Sequence, residues 1–221
     1  MALDREYVVR AALDLLDQVG LDGLTLRKLA AELGVQAPAL YWHFANKQEL
    51  LDHMAAAIME DARGFDVEDG VPWDVGLREY AFRQRRALLS HRDGARVALG
   101  NRPMDSTLPV IERAMARLTA VGFTPVQAMR GMVTLSTFVG GFATEEQAEA
   151  GRNQAEGWTE ADDHAAFQAL LDNNELSLLV EALRMGGDPN GEDTFVFGVQ
   201  LIIDGLRALL ARQGDLGDAV Q

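Results

Sequence analysis

A chain of 221 residues that is 48% hydrophobic can bury a sizeable core, as one large domain or as a small domain beside a larger one. Its net charge of -14 repels nucleic acid on average, so any DNA contact has to be local. The absence of cysteine excludes disulfides and thiolate metal sites, and no uncharged apolar run approaches membrane-spanning length.

Helix-period patterns run through the chain and strand signals are almost absent, which predicts an all-α fold. Asp4 caps a first helix to about Gln18, with Val9, Leu13 and Leu16 on its inner face and Gly20 as its stop. Leu21 to Leu24 make the turn. Thr25 caps a second helix to Leu33, and Gly34 ends it. A short third helix runs from about Gln36 to His43, with Pro38 accommodated in its first turn. A fourth spans about Lys47 to Arg63. The acidic, glycine-containing stretch from Gly64 to Pro72 marks a boundary. The expected division is a DNA-binding domain over 1–46, a connecting helix over 47–64 and a second helical domain over 65–221. Further helices are expected at about 73–91, 94–99, 105–121, 124–147, 163–184 and 193–213, with 148–162 as a mobile loop.

The second helix, the Gly34 turn and the third helix have the spacing of a helix-turn-helix. The third helix is too short to be stable alone and is held by Leu40 and Phe44. Its remaining face offers Gln36, which can read a base edge by paired hydrogen bonds, and Ala37 and Ala39, small enough to touch a thymine methyl. Tyr41, His43 and Lys47 can hold phosphates, as can Thr25 with the start of the second helix, and Arg27 points toward the groove. With Pro38 and Trp42 these ten residues form the candidate DNA-contacting set. The same surface also fits a packing module whose Tyr41 and Trp42 anchor a protein partner.

Leu24-Thr25-Leu26-Arg27-Lys28-Leu29-Ala30, Leu33-Gly34-Val35 and Leu40-Tyr41-Trp42-His43-Phe44 with Lys47 resemble the reading head of the tetracycline-repressor family. Leu88 to Ala95, Leu99 to Pro103 and Phe195 to Leu206 extend the resemblance along the chain. It implies an N-terminal three-helix reading domain and a helical C-terminal domain for ligand binding and dimerisation.

Two nearly all-apolar helices support the same picture. Between Phe195 and Leu210 the only polar side chains are Gln200, Asp204 and Arg207, one narrow stripe. The helix from 124 to 147 is apolar on more than one face. A homodimer joined by a four-helix bundle accounts for both, and two heads on a two-fold axis read a palindromic operator.

By resemblance, a ligand cavity is lined by Arg63, Tyr80, Gln84, Ala98, Asn101, Arg102, Pro103, Ala114, Met129, Met132, Val133, Thr137 and Phe138, with Glu145 reaching in from the partner subunit. The family's magnesium-binding histidine is replaced here by Ala98. Arg63, Tyr80 and Ala114 also replace drug-contacting residues, while Arg102, Pro103 and Glu145 are kept. These departures point to an effector other than magnesium–tetracycline.

An enzyme is the rival reading from another class, since Ser90, His91 and Asp93 are residue types used in nucleophilic chemistry. A protein-interaction adaptor is the other. Catalysis is not expected, and neither is a cofactor or a resident metal. The expected partners are operator DNA, a small-molecule effector and a second copy of the chain. No membrane contact is expected, and the chain reads as soluble and cytoplasmic.

Overall fold

The first helix, α1 (Arg5–Gly23), begins where a carboxylate can hold its free amides: Asp4 accepts from Tyr7 N–H at 2.7 Å. The computed structural model describes residues 4–60, 62, 70–99, 107–157, 159–171, 176–186 and 188–218, and every regular element among them is a helix. α1 runs past its expected end at Gln18. Gly20 leaves the helical region at φ 69°, yet Leu24 N–H still closes onto Gly20 O at 3.0 Å, so the glycine kinks the helix rather than ending it.

α2 (Leu26–Glu32) is capped by Thr25, whose hydroxyl accepts from Lys28 N–H at 3.2 Å. Gly34 follows at φ 66°, where no neighbouring atom would crowd a side chain; the conformation, not the space, calls for glycine. α3 (Ala37–Tyr41) is a little over one turn. α4 (Lys47–Ile58) starts with a reciprocal cap: Asn46 accepts from Glu49 N–H at 2.9 Å, and the Glu49 carboxylate accepts from Ala45 N–H at 2.6 Å. It ends before the expected Arg63. Beyond Ile58 the amides of Glu60 and Ala62 reach only three residues back, to Ala57 and Met59, and such tight turns close the helix.

The second half holds α5 (Trp73–Leu89), α6 (Gly94–Leu99), α7 (Leu108–Ala120), α8 (Pro125–Glu156), α9 (Glu160–Leu171), α10 (Ser177–Arg184) and α11 (Glu192–Asp218). α8 continues through the first part of the expected loop at 148–162. Alanine, glutamate and glutamine after Glu145 are strong helix formers and carry Gly151 within the helix, until Gly157 at φ 65° leaves it. The single helix expected over 163–184 is two: α9 ends at Leu171 and α10 begins at Ser177, and the sequence after Leu171 turns to aspartate and asparagine, which are weak helix formers.

Two cores result. The first gathers Leu16, Leu29, Leu40, Phe44, Leu50 and Met54 from α1–α4 and the segment after α3, and takes in Val97 from α6. The second gathers Leu77, Leu118, Phe123, Leu135, Val139, Phe195, Val199 and Ile203. Arg85 joins α5 to α8 and α11: its guanidinium pairs with Glu146 at 2.5 Å and lies 4.6 Å over the Phe195 ring.

The turn between α5 and α6 fastens the two cores together. Asp17 on α1 accepts from Arg92 N–H at 2.8 Å and lies 2.8 Å from His91 Nδ1. Asp93 accepts from Leu21 N–H at 2.8 Å, filling the gap left by the Gly20 kink. Arg96 bridges Asp93 and Asp22. From the other side, Gln147 on α8 donates to Leu88 O and His91 O and accepts from Ala95 N–H. Gly94 is needed because a side-chain carbon there would sit 2.5 Å from Leu88 O.

The polar stripe of α11 borders α5 and remains partly open to solvent, with Arg207 46% and Asp204 53% exposed. Arg78 on α5 bonds Gln200, and Arg207 pairs with Asp74 on α5 and with Asp204 one turn away. Other exposed positions of α11 are apolar, with Phe197 64% and Leu201 56% exposed, and α8 likewise exposes Val126 and Val133. By length and composition α11 could cross a membrane, but it packs lengthwise on α8 and α5.

Asp93 supplies the first prediction. Burial opposes its ionisation, but the Leu21 amide and then Arg96 outweigh it, and its carboxyl sits below the usual 3.8. A carboxyl lowered in the folded state stabilises above that value, and the contribution fades as pH falls through the folded value. Asp93→Asn, which keeps the residue's tolerance for φ 57°, should lower stability by about 1–3 kcal/mol at pH 7. Urea titrations should show the gap narrowing below pH 4; an unchanged gap there would mean that the Asp93 charge contributes nothing.

Candidate functional site

α3 is a platform with a buried underside. Leu40 and Phe44 are 0% and 1% exposed, and Phe44 meets His53 edge-on at 5.4 Å with Arg5 5.8 Å above its ring. The opposite face is open. Gln36, Pro38, Tyr41 and Trp42 are exposed, Trp42 at 88%; Ala37, Ala39 and His43 are half-buried beside them. Thr25 and Arg27 are exposed at the start of α2. Lys47 is half-buried, and its ammonium donates to Leu21 O at 3.3 Å. The ten expected contact residues therefore share the α2–α3 side of the head and the start of α4. An exposed tryptophan beside an exposed tyrosine, on a helix too short to stand alone, is a surface shaped for contact.

A cavity of about 340 Å³ lies between α5, α6, α7 and α8. Tyr80, Gln84, Met129, Met132, Val133 and Thr137 line it, together with Ala98. Phe138 does not; its ring stacks on Phe195 at 5.8 Å and lies against Gly198. Ala114 sits in the core, and Glu145 is exposed further along α8. Arg63, Asn101, Arg102 and Pro103 lie outside the described residues. Met59, Leu88, Leu99, Ile111, Met115 and Ser136 also line the cavity and were not expected. Helical spacing carried a signal for two of them: Ser136 follows Met132 by four and Leu88 follows Gln84 by four.

Among the described residues the wall is apolar apart from Tyr80, Gln84, Ser136 and Thr137. Burial pushes the Tyr80 phenol above its ordinary 10.0, against a weaker opposing hydrogen bond with Ser136, so it stays neutral. Among the described residues, no three His, Asp or Glu side chains gather as a metal site. α6 is common to both regions: Ala98 and Leu99 face the cavity, while Val97 is in the head core.

Ser90, His91 and Asp93 do not form a relay. Ser90 donates to Ala87 O at 2.7 Å, His91 faces Asp17 and Asp93 holds the Leu21 amide, three separate directions.

Comparison with known proteins agrees with this layout. Residues 8–54 match the family described as bacterial regulatory proteins, tetR family, and residues 68–210 match the tetracyclin repressor-like C-terminal domain. The class A tetracycline repressor of Escherichia coli from transposon 1721 is 39% identical over 214 residues, 95% of this chain and 94% of that protein. The crystal structure of TetR from Acinetobacter baumannii AYE is similar at 37% identity and a TM-score of 0.71, covering 95% of this chain and 99% of that one. The Streptomyces coelicolor TetR family protein ActR, in complex with actinorhodin, is 30% identical with a TM-score of 0.78, covering 95% and 99%.

Proposed function

The chain belongs to the tetracycline-repressor family and is a transcriptional repressor with a ligand-binding domain, and on that footing we propose that it binds a palindromic operator as a homodimer and is released by a small, largely apolar effector other than magnesium–tetracycline. The observation that carries the reading is the exposed row Gln36, Tyr41 and Trp42 on a helix whose other side is wholly buried. Gln36 pairs with a base edge, Ala37 and Ala39 lie against the groove floor, and Pro38 and Trp42 complete the contact surface. Thr25, Arg27, Tyr41, His43 and Lys47 hold the backbone. Residues 1–46 read DNA, 47–64 connect, and 65–221 bind effector and partner. Such a regulator works in the cytoplasm, where the operator is.

The effector reading rests on the cavity wall. Ala98 has no lone pair where the family places a metal-binding histidine, and Arg63, by resemblance in the same wall, would oppose a divalent ion. Glu145 of the partner subunit alone is a poor site for a cation that prefers six ligands. A relative solved with actinorhodin supports an effector of another kind. Arg102, Asn101 and Pro103 complete the proposed pocket, with Met129, Met132 and Val133 as its apolar side.

Signalling passes through α6. An effector that favours one position of Ala98 and Leu99 also moves Val97 and Arg96, which belong to the head. Linkage then requires operator DNA to weaken effector binding by the factor by which effector weakens DNA binding.

The homodimer accounts for the open apolar face of α8 and α11, which no other described element covers.

Gel shifts over a randomised operator library test the reader. Gln36→Ala should cost about 1–3 kcal/mol and relax preference at one base pair per half-site, and Lys47→Ala should weaken all sequences alike and flatten the salt slope by about one. Unchanged base preference in Gln36→Ala would remove it as the reading residue. Calorimetry with tetracycline should give no metal-dependent heat; micromolar binding that requires magnesium would refute the reading of Ala98. Wild type should sediment as a dimer, and Phe197→Glu as a folded monomer that no longer shifts the operator. A wild-type monomer at micromolar concentration would contradict the bundle.

A further inference from the structure

The cavity holds one buried group whose partner has to come from its contents. Gln84 is 6% exposed, faces the cavity from the middle of α5, and its Oε1 is buried with no hydrogen-bond partner among the described residues. The nearby polar groups do not serve it. Tyr80, one turn earlier on the same face of α5, is engaged with Ser136. Leu88, one turn later, is apolar, as are Met115, Met129 and Met132, and the remaining polar lining residue, Thr137, makes no hydrogen bond to Gln84 Oε1. A leucine at position 84 would fill similar space without burying an amide, so the glutamine makes the cavity harder to fold around and easier to fill selectively. Whatever occupies the cavity must donate a hydrogen bond to this oxygen. A ligand that displaces water there without bringing its own donor loses affinity.

The same wall restricts the charge of that donor. Among the described lining residues there is no Asp, Glu, Lys or Arg, so an ionic group at this end would be desolvated without a counter-charge. We propose that Gln84 selects the effector: the ligand is a mostly apolar molecule that places an uncharged hydroxyl or amide N–H on Gln84 Oε1. The inference rests on the reading of this cavity as the effector site and adds the chemistry of the group it demands.

Monohydroxyflavones and their methyl ethers make a direct probe, because methylation deletes the donor and keeps the rings. Titrated into the full-length protein by calorimetry, at least one phenol should bind roughly tenfold or more tightly than its own ether. In Gln84→Leu that ratio should fall to near one, through weaker binding of the phenol and not of the ether. The unliganded variant should melt at or above the wild-type temperature, since it no longer buries an amide. Equal binding of phenol and ether by wild type overturns the donor requirement while leaving the effector cavity standing. A ratio that survives in Gln84→Leu assigns the hydroxyl to another residue and overturns the role of Gln84. A melting temperature lower by more than about 4 °C makes Gln84 a packing residue, and the inference fails with it. If no member of the panel binds up to its solubility limit, the cavity reading itself falls, and this inference falls with it.

Discussion

The bond between Asp93 and the Leu21 amide decides how the two halves of the molecule are related. It joins the kink of α1 to the turn ahead of α6, and neither half has another way to satisfy that amide among the described residues. Its surroundings divide by exposure. The Arg96–Asp22 pair is 43% and 88% exposed and contributes at most a few tenths of a kcal/mol to about 1 kcal/mol. Asp93 is mostly covered, and Val97 beside it is 1% exposed in the head core. The firm part of the joint is therefore one carboxylate, one apolar side chain and the Gln147 brace behind them. A six-residue helix held in this way cannot shift at its cavity end without shifting at its head end, because packed cores move between discrete arrangements rather than deforming smoothly.

Local charge settles how so acidic a chain can approach DNA. The chain carries 34 acidic residues, yet none lies between Leu33 and Gln48, the stretch that contains the turn, α3 and the start of α4. Arg27 and Lys28 flank it on α2. Phosphates meeting this surface find backbone amides, polar tips and a few cations, while the acidic remainder repels duplex presented in any other orientation. Net charge thus contributes to orientation rather than to affinity.

The reading head was legible in the sequence because each of its signals is local. Asp4 and Thr25 cap, Gly34 turns, and Leu40 and Phe44 are spaced to bury together. The body was less legible where long-range packing overrides local pattern. Gly151 suggested a loop, but the helix formers around it carried α8 through. Gln200, Asp204 and Arg207 read as a solvent stripe, and Asp204 and Arg207 are exposed, but no sequence period shows that Asp74 and Arg78 on a distant helix also pair with it. The family resemblance put Phe138 on the cavity wall, yet its ring turns to the aromatic cluster around Phe195, where offset rings and apolar contact hold it. Ile111 and Met115 carried no usable signal, since an apolar residue on a cavity wall and one in a core look alike in sequence.

Two features of the body make physical sense only in company. A helix face bearing Phe197 and Leu201 more than half exposed invites association, and a closed two-fold contact is the arrangement that consumes such a face without leaving another open. An amide oxygen buried in an apolar wall is likewise a poor choice for a protein selected for stability alone. Both raise the free energy of the single empty chain, and the proposed second copy and the proposed cavity donor would each relieve one of them. Because α8 carries Met129 and Val133 on the boundary between the two, exposed on one side and lining the cavity on the other, filling the cavity and closing the apolar face act on the same helix. On the proposed reading, effector and partner would bear on one structural element, with α6 as the path to the head.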